Sequence, residues 1–257
     1  MTASERRNTI INYLQTKQDC DVNEIIDQFD VTPATIRRDL TFLENSGSIS
    51  RTHGAVHLVK TPAVPGFLTR NTLFAEEKQA MARVAAQMVQ SGDSVMLDSG
   101  TTVHAVAIEV GKRSDITLIT NSLSIVSALE APKQNILLTG GLFEYDNLAL
   151  VGPDVELFLD RISASILFLG ATGIRGCDGL TVISPLQAGV KRKMIQCAKK
   201  RVLVIDNSKF ASTGMVLFAS FEEIDTIIVA RPIEDPILKR HLDEIGVQVI
   251  VALPEQG

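Results

Sequence analysis

Asp98-Ser99-Gly100-Thr101-Thr102 puts a carboxylate, three hydroxyls and a glycine into one short run. Backbone N–H groups and hydroxyls in such a run can wrap an anion, helped by the positive end of a helix that opens there. Small polar residues recur at Thr120-Asn121-Ser122, Thr139-Gly140-Gly141, Gly170-Ala171-Thr172-Gly173 and Asp206-Asn207-Ser208-Lys209. Lys209 adds a full positive charge. Taken singly, these are ordinary turn and cap residues. Taken together, with a lysine among them, they describe a site for a small anion carrying hydroxyl groups, such as a sugar phosphate. The expected ligand-binding residues are Asp98, Ser99, Gly100, Thr101, Thr102, Thr120, Asn121, Ser122, Gly140, Gly141, Thr172, Gly173 and Lys209. The Asp98 run matches neither GxGxxG nor GxxxxGK[ST], so a dinucleotide or nucleoside triphosphate is not indicated. No cofactor is expected.

A second chemistry lies near the N-terminus. Thr32 is placed to cap a helix whose first position is Pro33, where a missing N–H costs nothing. At about 100° per residue, Ile36, Leu40 and Leu43 share the inward face of this helix. Ala34, Arg38 and Thr41 fall opposite, flanked by Thr35 and Arg37. Two arginines among small residues can enter a major groove, where guanidinium binds guanine or clamps phosphate. Thr32, Thr35 and the free N–H groups of the first turn suit phosphate oxygens. Beyond the helix, Arg51, His53 and His57 put donors on a glycine-containing hairpin that could lie over the adjacent backbone. A lone Arg-Arg pair is more often a solvated face. Here three short helices, a tight turn and a hairpin occur in order, and that combination is far more specific. The expected DNA-binding residues are Thr32, Ala34, Thr35, Arg37, Arg38, Thr41, Arg51 and His53. His53 and His57 have no third partner nearby in sequence, so no metal site is expected.

The elements that must carry these groups divide at Thr61-Pro62-Ala63-Val64-Pro65-Gly66, a linker by composition. Before it, helices are expected from Ser4 to Thr16, from Asp21 with Glu24 completing a capping-box pattern, and from Pro33 to about Asn45, ended by Gly47. A hairpin follows from Ser48 to Val59. After it come apolar runs at Val95–Leu97, Ile116–Ile119, Ile136–Leu138, Ile166–Leu169, Val202–Ile205, Ile227–Val229 and Val247–Val251. Their consecutive Val, Ile and Leu mark strands buried on both faces. Helical patterns lie between, at Glu76–Val89, Val103–Val110, Leu186–Lys199 and Pro236–Ile245. The fold class is therefore α/β: an N-terminal winged helix-turn-helix in residues 1–60, a linker at 61–75, and a mostly parallel α/β domain in residues 76–257. In such a sheet the carboxyl ends of the strands form one edge, and every polar run named above follows a strand.

The net charge of −5 excludes a surface that meets nucleic acid everywhere, but not a small DNA-reading module on an acidic body. No apolar run approaches the roughly 20 residues of a membrane span, and Met1 to Arg7 leads into no signal-peptide core. Cys20, Cys177 and Cys197 are scattered and include no CxxC. This fits a reducing, cytoplasmic setting without zinc or a disulfide framework.

The string from Val31 to Leu40, with Leu43-Glu44 and Arg51-Thr52-His53-Gly54 after it, resembles the signature of DeoR-type (deoxyribose-operon-regulator-like) bacterial repressors. Thr35-Ile36-Arg37-Arg38-Asp39-Leu40 is its most specific part, and the resemblance continues to Asp206-Asn207-Ser208-Lys209-Phe210. It implies a transcriptional repressor of a carbohydrate-metabolism operon. The sensor domain would be similar in fold to ribose-5-phosphate isomerase, and phosphorylated sugars would be effectors. The Asp98–Thr102 loop and Lys209 would lie in the pocket. Ala55 departs from the pattern where a second glycine is usual after His-Gly. Glu144 replaces a common arginine, Asn147 a common threonine, and Gln187 a usual glutamate. If Glu144 faces the pocket, a cation is exchanged for an anion and the effector is less anionic, or differently oriented.

A competing reading is a sugar-phosphate isomerase or deaminase with an accessory DNA-binding domain. That chemistry needs a positioned base, usually a carboxylate. Asp98 and Asp206 stand at strand ends, where capping explains them equally well, and Gln187 cannot take a proton as glutamate would. Catalysis is not expected. A third reading, a ligand-free oligomerisation body, is opposed by the polar strand ends. The expected partners are a double-stranded DNA operator, a small effector and further copies of the chain in a homo-oligomer, with the effector shifting domain arrangement.

Overall fold

The computed structural model describes residues 3–17, 19–45, 49–52, 55–58, 66–129 and 133–253, which fall into two units, Met1–Ala75 and Glu76–Gly257. The first contains α1 (Ala3–Lys17), β1 (Asp19–Asp21), α2 (Val22–Asp27), α3 (Pro33–Asn45), β2 (Ile49–Thr52), β3 (Ala55–Leu58) and α4 (Phe67–Thr72). Apolar residues at helical spacing meet in one small core of Ile10, Leu14, Ile25, Ile36, Leu40 and Leu43, closed by Ile49 and Val56 from the strands. Asp21 caps α2 by accepting from the Asn23 N–H at 2.7 Å. Thr32 caps α3 by accepting from the Thr35 N–H at 3.3 Å. The hairpin expected from Ser48 to Val59 gains a third strand, because β1 pairs antiparallel with β3 in the order β1-β3-β2. The helix α4 forms inside the stretch expected as linker. Gly47 and His53 lie outside the described residues.

A charged cluster sits inside this unit. Asp39 is 1% exposed and accepts from the Arg6 Nε at 2.6 Å and the Arg7 Nε at 2.7 Å. The Arg7 guanidinium also lies 3.8 Å from the centre of the Phe42 ring. A carboxylate withdrawn from water is stable only when paired and hydrogen-bonded, so this cluster locks α1 onto the inner side of α3.

The second unit runs α5 (Ala75–Gln87), β4 (Ser94–Leu97), α6 (Thr101–Val110), β5 (Thr117–Thr120), α7 (Leu123–Ala128), β6 (Asn135–Leu138), β7 (Leu142–Glu144) and β8 (Ala149–Val151). It continues with α8 (Pro153–Leu159), β9 (Ala164–Leu169), β10 (Gly173–Arg175), β11 (Gly179–Val182), α9 (Pro185–Cys197) and β12 (Ala198–Val204). It ends with β13 (Val216–Ala219), β14 (Thr226–Val229), α10 (Pro236–Glu244) and β15 (Gln248–Val251). Seven strands form a wholly parallel sheet, β15-β14-β12-β9-β4-β5-β6. All seven expected runs lie in it. Alternate residues feed two cores: Met96, Leu167, Leu203 and Ile227 enter one, while Val95, Leu97, Phe168, Val202 and Ile228 enter the other. This two-sided burial is why the strands read as continuous apolar runs.

From β4 the chain winds outward through β5 and β6, then returns to β4's other side at β9 and winds the opposite way. The switch point therefore lies between β4 and β9, the position at which open α/β sheets bind ligands in a crevice at the carboxyl edge. Two small antiparallel sheets, β7-β8 and β10-β11-β13, stand apart from the main one. The helix expected to reach Lys199 ends at Cys197, because β12 begins at Ala198 beside β9. None of the described helices is long and apolar enough to cross a membrane.

Asp39→Ala is expected to cost about 3 kcal/mol, the usual effect of leaving buried partners without their counter-charge. Hydrogen exchange at α1 and α3 amides measures it; unchanged protection there would show the cluster to be dispensable.

Candidate functional sites: a nucleic-acid face and a polar crevice

The locked face of α3 leaves the opposite face bare. Thr32, Ala34, Arg37, Arg38 and Thr41 are exposed, and Thr35 is half-buried with its hydroxyl 2.9 Å from that of Thr32. Among the described residues the side chains of Arg37 and Arg38 make no hydrogen bond or ion pair, and the Arg37 carbonyl accepts from the Thr41 hydroxyl at 2.9 Å. Three other arginines of the unit are engaged: Arg6 and Arg7 by Asp39, and Arg51 by Glu44. Arg51, expected to offer its charge from the wing, donates Nε to Glu44 at 2.8 Å and Nη2 to the Thr41 hydroxyl at 3.1 Å. That guanidinium holds the Glu44 carboxyl below the usual range. Arg51 therefore ties β2 to the outer edge of α3 and fixes the wing against the helix. His57 bonds the Thr52 hydroxyl across the hairpin at 2.8 Å.

In the second unit, Asp98 stands at the switch point. It is 1% exposed, accepts the Gly170 N–H at 3.0 Å, and forms an ion pair with Lys191 of α9. Lys191 also donates to the Gly170 carbonyl at 3.1 Å, so one lysine bridges the ends of β4 and β9. Lys191 was not among the expected site residues. Its signal is a lysine in the apolar stripe of α9, where Ala188, Met194 and Ile195 are its buried neighbours. Lys78 repeats the pattern in α5, buried with Met81, Ala82 and Ala85.

Lys78 acts on two groups at this edge. Burial pushes the Asp206 carboxyl up, but the Lys209 and Lys78 charges and the bonds from Ser208 outweigh it, leaving Asp206 below the usual range. Burial, with the Lys78 charge, depresses His104 against a backbone bond at Ser124. Lys209 itself is partly exposed, 4.0 Å from Asp206.

Three buried polar atoms along the edge have no partner among the described residues: Asp98 Oδ1, Asn121 Oδ1 and Thr139 Oγ1. Each belongs to the first residue beyond a strand, β4, β5 and β6 in turn, and these strands are adjacent. Buried polar groups are normally satisfied, so a row of unsatisfied ones along one edge makes it a candidate position for a polar guest. Ser99 and Gly100 border this row, with Thr101 and Thr102 in the first turn of α6. Other expected residues serve the frame. Thr120 donates to the Leu97 carbonyl at 2.8 Å, and Ser122 caps α7. Gly173 begins β10 under Ser212, where a Cβ would stand 2.0 Å from the Ser212 carbonyl oxygen. Thr172 lends its backbone to Thr181 and Ser212.

The β7-β8 hairpin covers the end of β5. Asn121 and Leu150 exchange two bonds, Leu150 N to Asn121 O at 2.7 Å and Asn121 Nδ2 to Leu150 O at 2.8 Å. Gly140 is exposed; Gly141, at φ +121, turns the chain into the hairpin where a Cβ would strike Val155 at 2.5 Å. At the hairpin tip the Glu144 carboxylate accepts from Asn147 at 2.6 Å and from Gln187 of α9 at 2.5 Å. The three positions singled out separately in the sequence thus form one cluster.

The DeoR-like helix-turn-helix domain family matches residues 6–62, and the DeoR C terminal sensor domain family matches residues 73–231. The chain is 34% identical over 251 residues to the HTH-type transcriptional regulator GlpR of Haloferax volcanii, covering 97% of this chain and 98% of that protein. It is 32% identical over 259 residues to the HTH-type transcriptional repressor GlcR of Bacillus subtilis, covering 100% and 99%. Ribose 5-phosphate isomerase A of Methanocaldococcus jannaschii superposes with a TM-score of 0.38 at 18% identity, over 53% of this chain and 54% of that one.

Lys191→Met alone is expected to destabilise the second unit by about 3 kcal/mol, because Asp98 is left charged and unpaired. Asp98→Asn combined with Lys191→Met should recover most of that loss. A denaturation cycle in which the double variant is no more stable than Lys191→Met would remove the pair's interdependence.

Proposed function

Because the chain belongs to the DeoR family of helix-turn-helix transcriptional regulators, we propose that α3 reads its operator and that the crevice binds a phosphorylated sugar that controls the reading. The observation that carries the first half is the pair of exposed, uncommitted arginines on a helix whose other face is fixed. Arg37 and Arg38 reach base edges or phosphates in the major groove, with Ala34 and Thr41 permitting close approach. Thr32, Thr35 and the first-turn N–H groups meet the backbone. Arg51 acts mainly by holding the wing in register.

The unsatisfied row along β4, β5 and β6 supports the second half. The effector's phosphate rests on Ser99 to Thr102 at the start of α6, within the field of Lys209 and Lys78. Its hydroxyls satisfy Asp98, Asn121 and Thr139. Pairing of Asp98 with Lys191 suits it to accept such a hydroxyl rather than to abstract a proton, which favours binding over turnover. The chain acts as a homo-oligomeric repressor on repeated half-sites, and the effector changes its arrangement on them.

An operator selected from a random duplex pool allows a direct test by fluorescence anisotropy across a salt series. Arg38→Ala is expected to weaken specific binding by about 10- to 100-fold while non-specific affinity changes far less. Lys209→Ala should leave operator affinity intact and blunt the response to sugar phosphates. Normal operator affinity in Arg38→Ala removes α3 from the interface; an unaltered effector response in Lys209→Ala removes that lysine from the crevice.

A further inference from the structure

We infer that Glu144 sets effector specificity: its carboxylate takes a hydroxyl or ammonium donor at the end of the ligand remote from the phosphate, and rejects a ligand carrying a second anionic group there. This rests on the crevice reading above. The sheet order places β6 three strands from β9, roughly 14 Å away. Yet Glu144, which leaves the β6 end through Gly140 and Gly141, meets Gln187 on α9 at 2.5 Å. The hairpin therefore reaches back from β6 toward α9, and its bonds to Asn121 hold it at the end of β5. Glu144 is thereby brought to the crevice, one helical turn along α9 from Lys191, with a rise of about 6 Å between the two positions.

Charge distinguishes this carboxylate from its neighbours. Asp98 has Lys191, and Asp206 has Lys209 at 4.0 Å. Glu144 has only neutral partners, the amides of Asn147 and Gln187, and forms no ion pair among the described residues. Both amides land on Oε2, and Oε1 accepts from none of the described residues. A half-buried carboxylate with a fixed position, a full charge and one open oxygen is an acceptor awaiting a donor. The same charge opposes any anion brought beside it, because a like-charge juxtaposition is strongly unfavourable where water is excluded.

Matched monophosphates and bisphosphates of ribose, fructose and glucose, with inorganic phosphate as a further probe, test this by calorimetric titration of the full chain. The wild type should bind a monophosphate at least about 30-fold more tightly than its bisphosphate. Glu144→Gln, which keeps the shape and loses the charge, should shrink that preference to under about 3-fold. Glu144→Asp should retain the preference even where affinity falls, which separates charge from shape. Melting of the unliganded variants reports folding independently. A preference that is absent in the wild type, or unchanged in Glu144→Gln, overturns the assignment while leaving the crevice reading in place. No binding of any phosphate compound to the wild type overturns the crevice reading, and this inference with it.

Discussion

Asp98 has left water at the end of β4, and a carboxylate there is tolerable only with a cation beside it. The same constraint operates at Asp39, held by Arg6 and Arg7, and at Asp206, in the field of Lys209 and Lys78. The Asp39 and Asp98 pairings join elements distant in sequence, so there satisfying a charge and fixing the tertiary arrangement are one event. In the first unit the pairing orients α3. In the second it sets the spacing of β4, β9 and α9 around the switch point.

The two units use this constraint to opposite ends. Asp39 engages Arg6 and Arg7 of α1 and turns the inner side of α3 into a rigid mount, leaving the Arg37 and Arg38 side chains on the outside without a partner among the described residues. The crevice keeps its cations inside, on lysines that sit where an apolar helix stripe would otherwise continue. Unspent hydrogen-bonding capacity then faces inward at the strand ends rather than outward.

The main sheet was legible in the sequence because two-sided burial writes itself as consecutive Val, Ile and Leu, and all seven strands were placed. The helix α3 was legible because its cap, its Pro33 and its apolar spacing agree. The short strands β1, β7, β8, β10, β11 and β13 have too few residues for a period to emerge, and their pairing partners are tertiary. Lys191 was missed for the same reason. Its partner Asp98 is 93 residues away, and only its position in the α9 stripe could have betrayed it. Glu144, Asn147 and Gln187 each stood out, but their convergence depends on a hairpin that local sequence does not describe. Thr120, Ser122 and Gly173 had the right composition and turn out to brace the frame.

The β7-β8 hairpin has a consequence in time as well as in space. It closes over the end of β5 and is fastened to α9 at its tip, and Asn121 Oδ1 beside it is shut off from solvent. If a guest reaches that atom only when the hairpin lifts, its entry saturates at the rate of lifting however abundant the guest, and its departure lags behind its depletion. A crevice gated in that way would filter out brief fluctuations and register sustained supply.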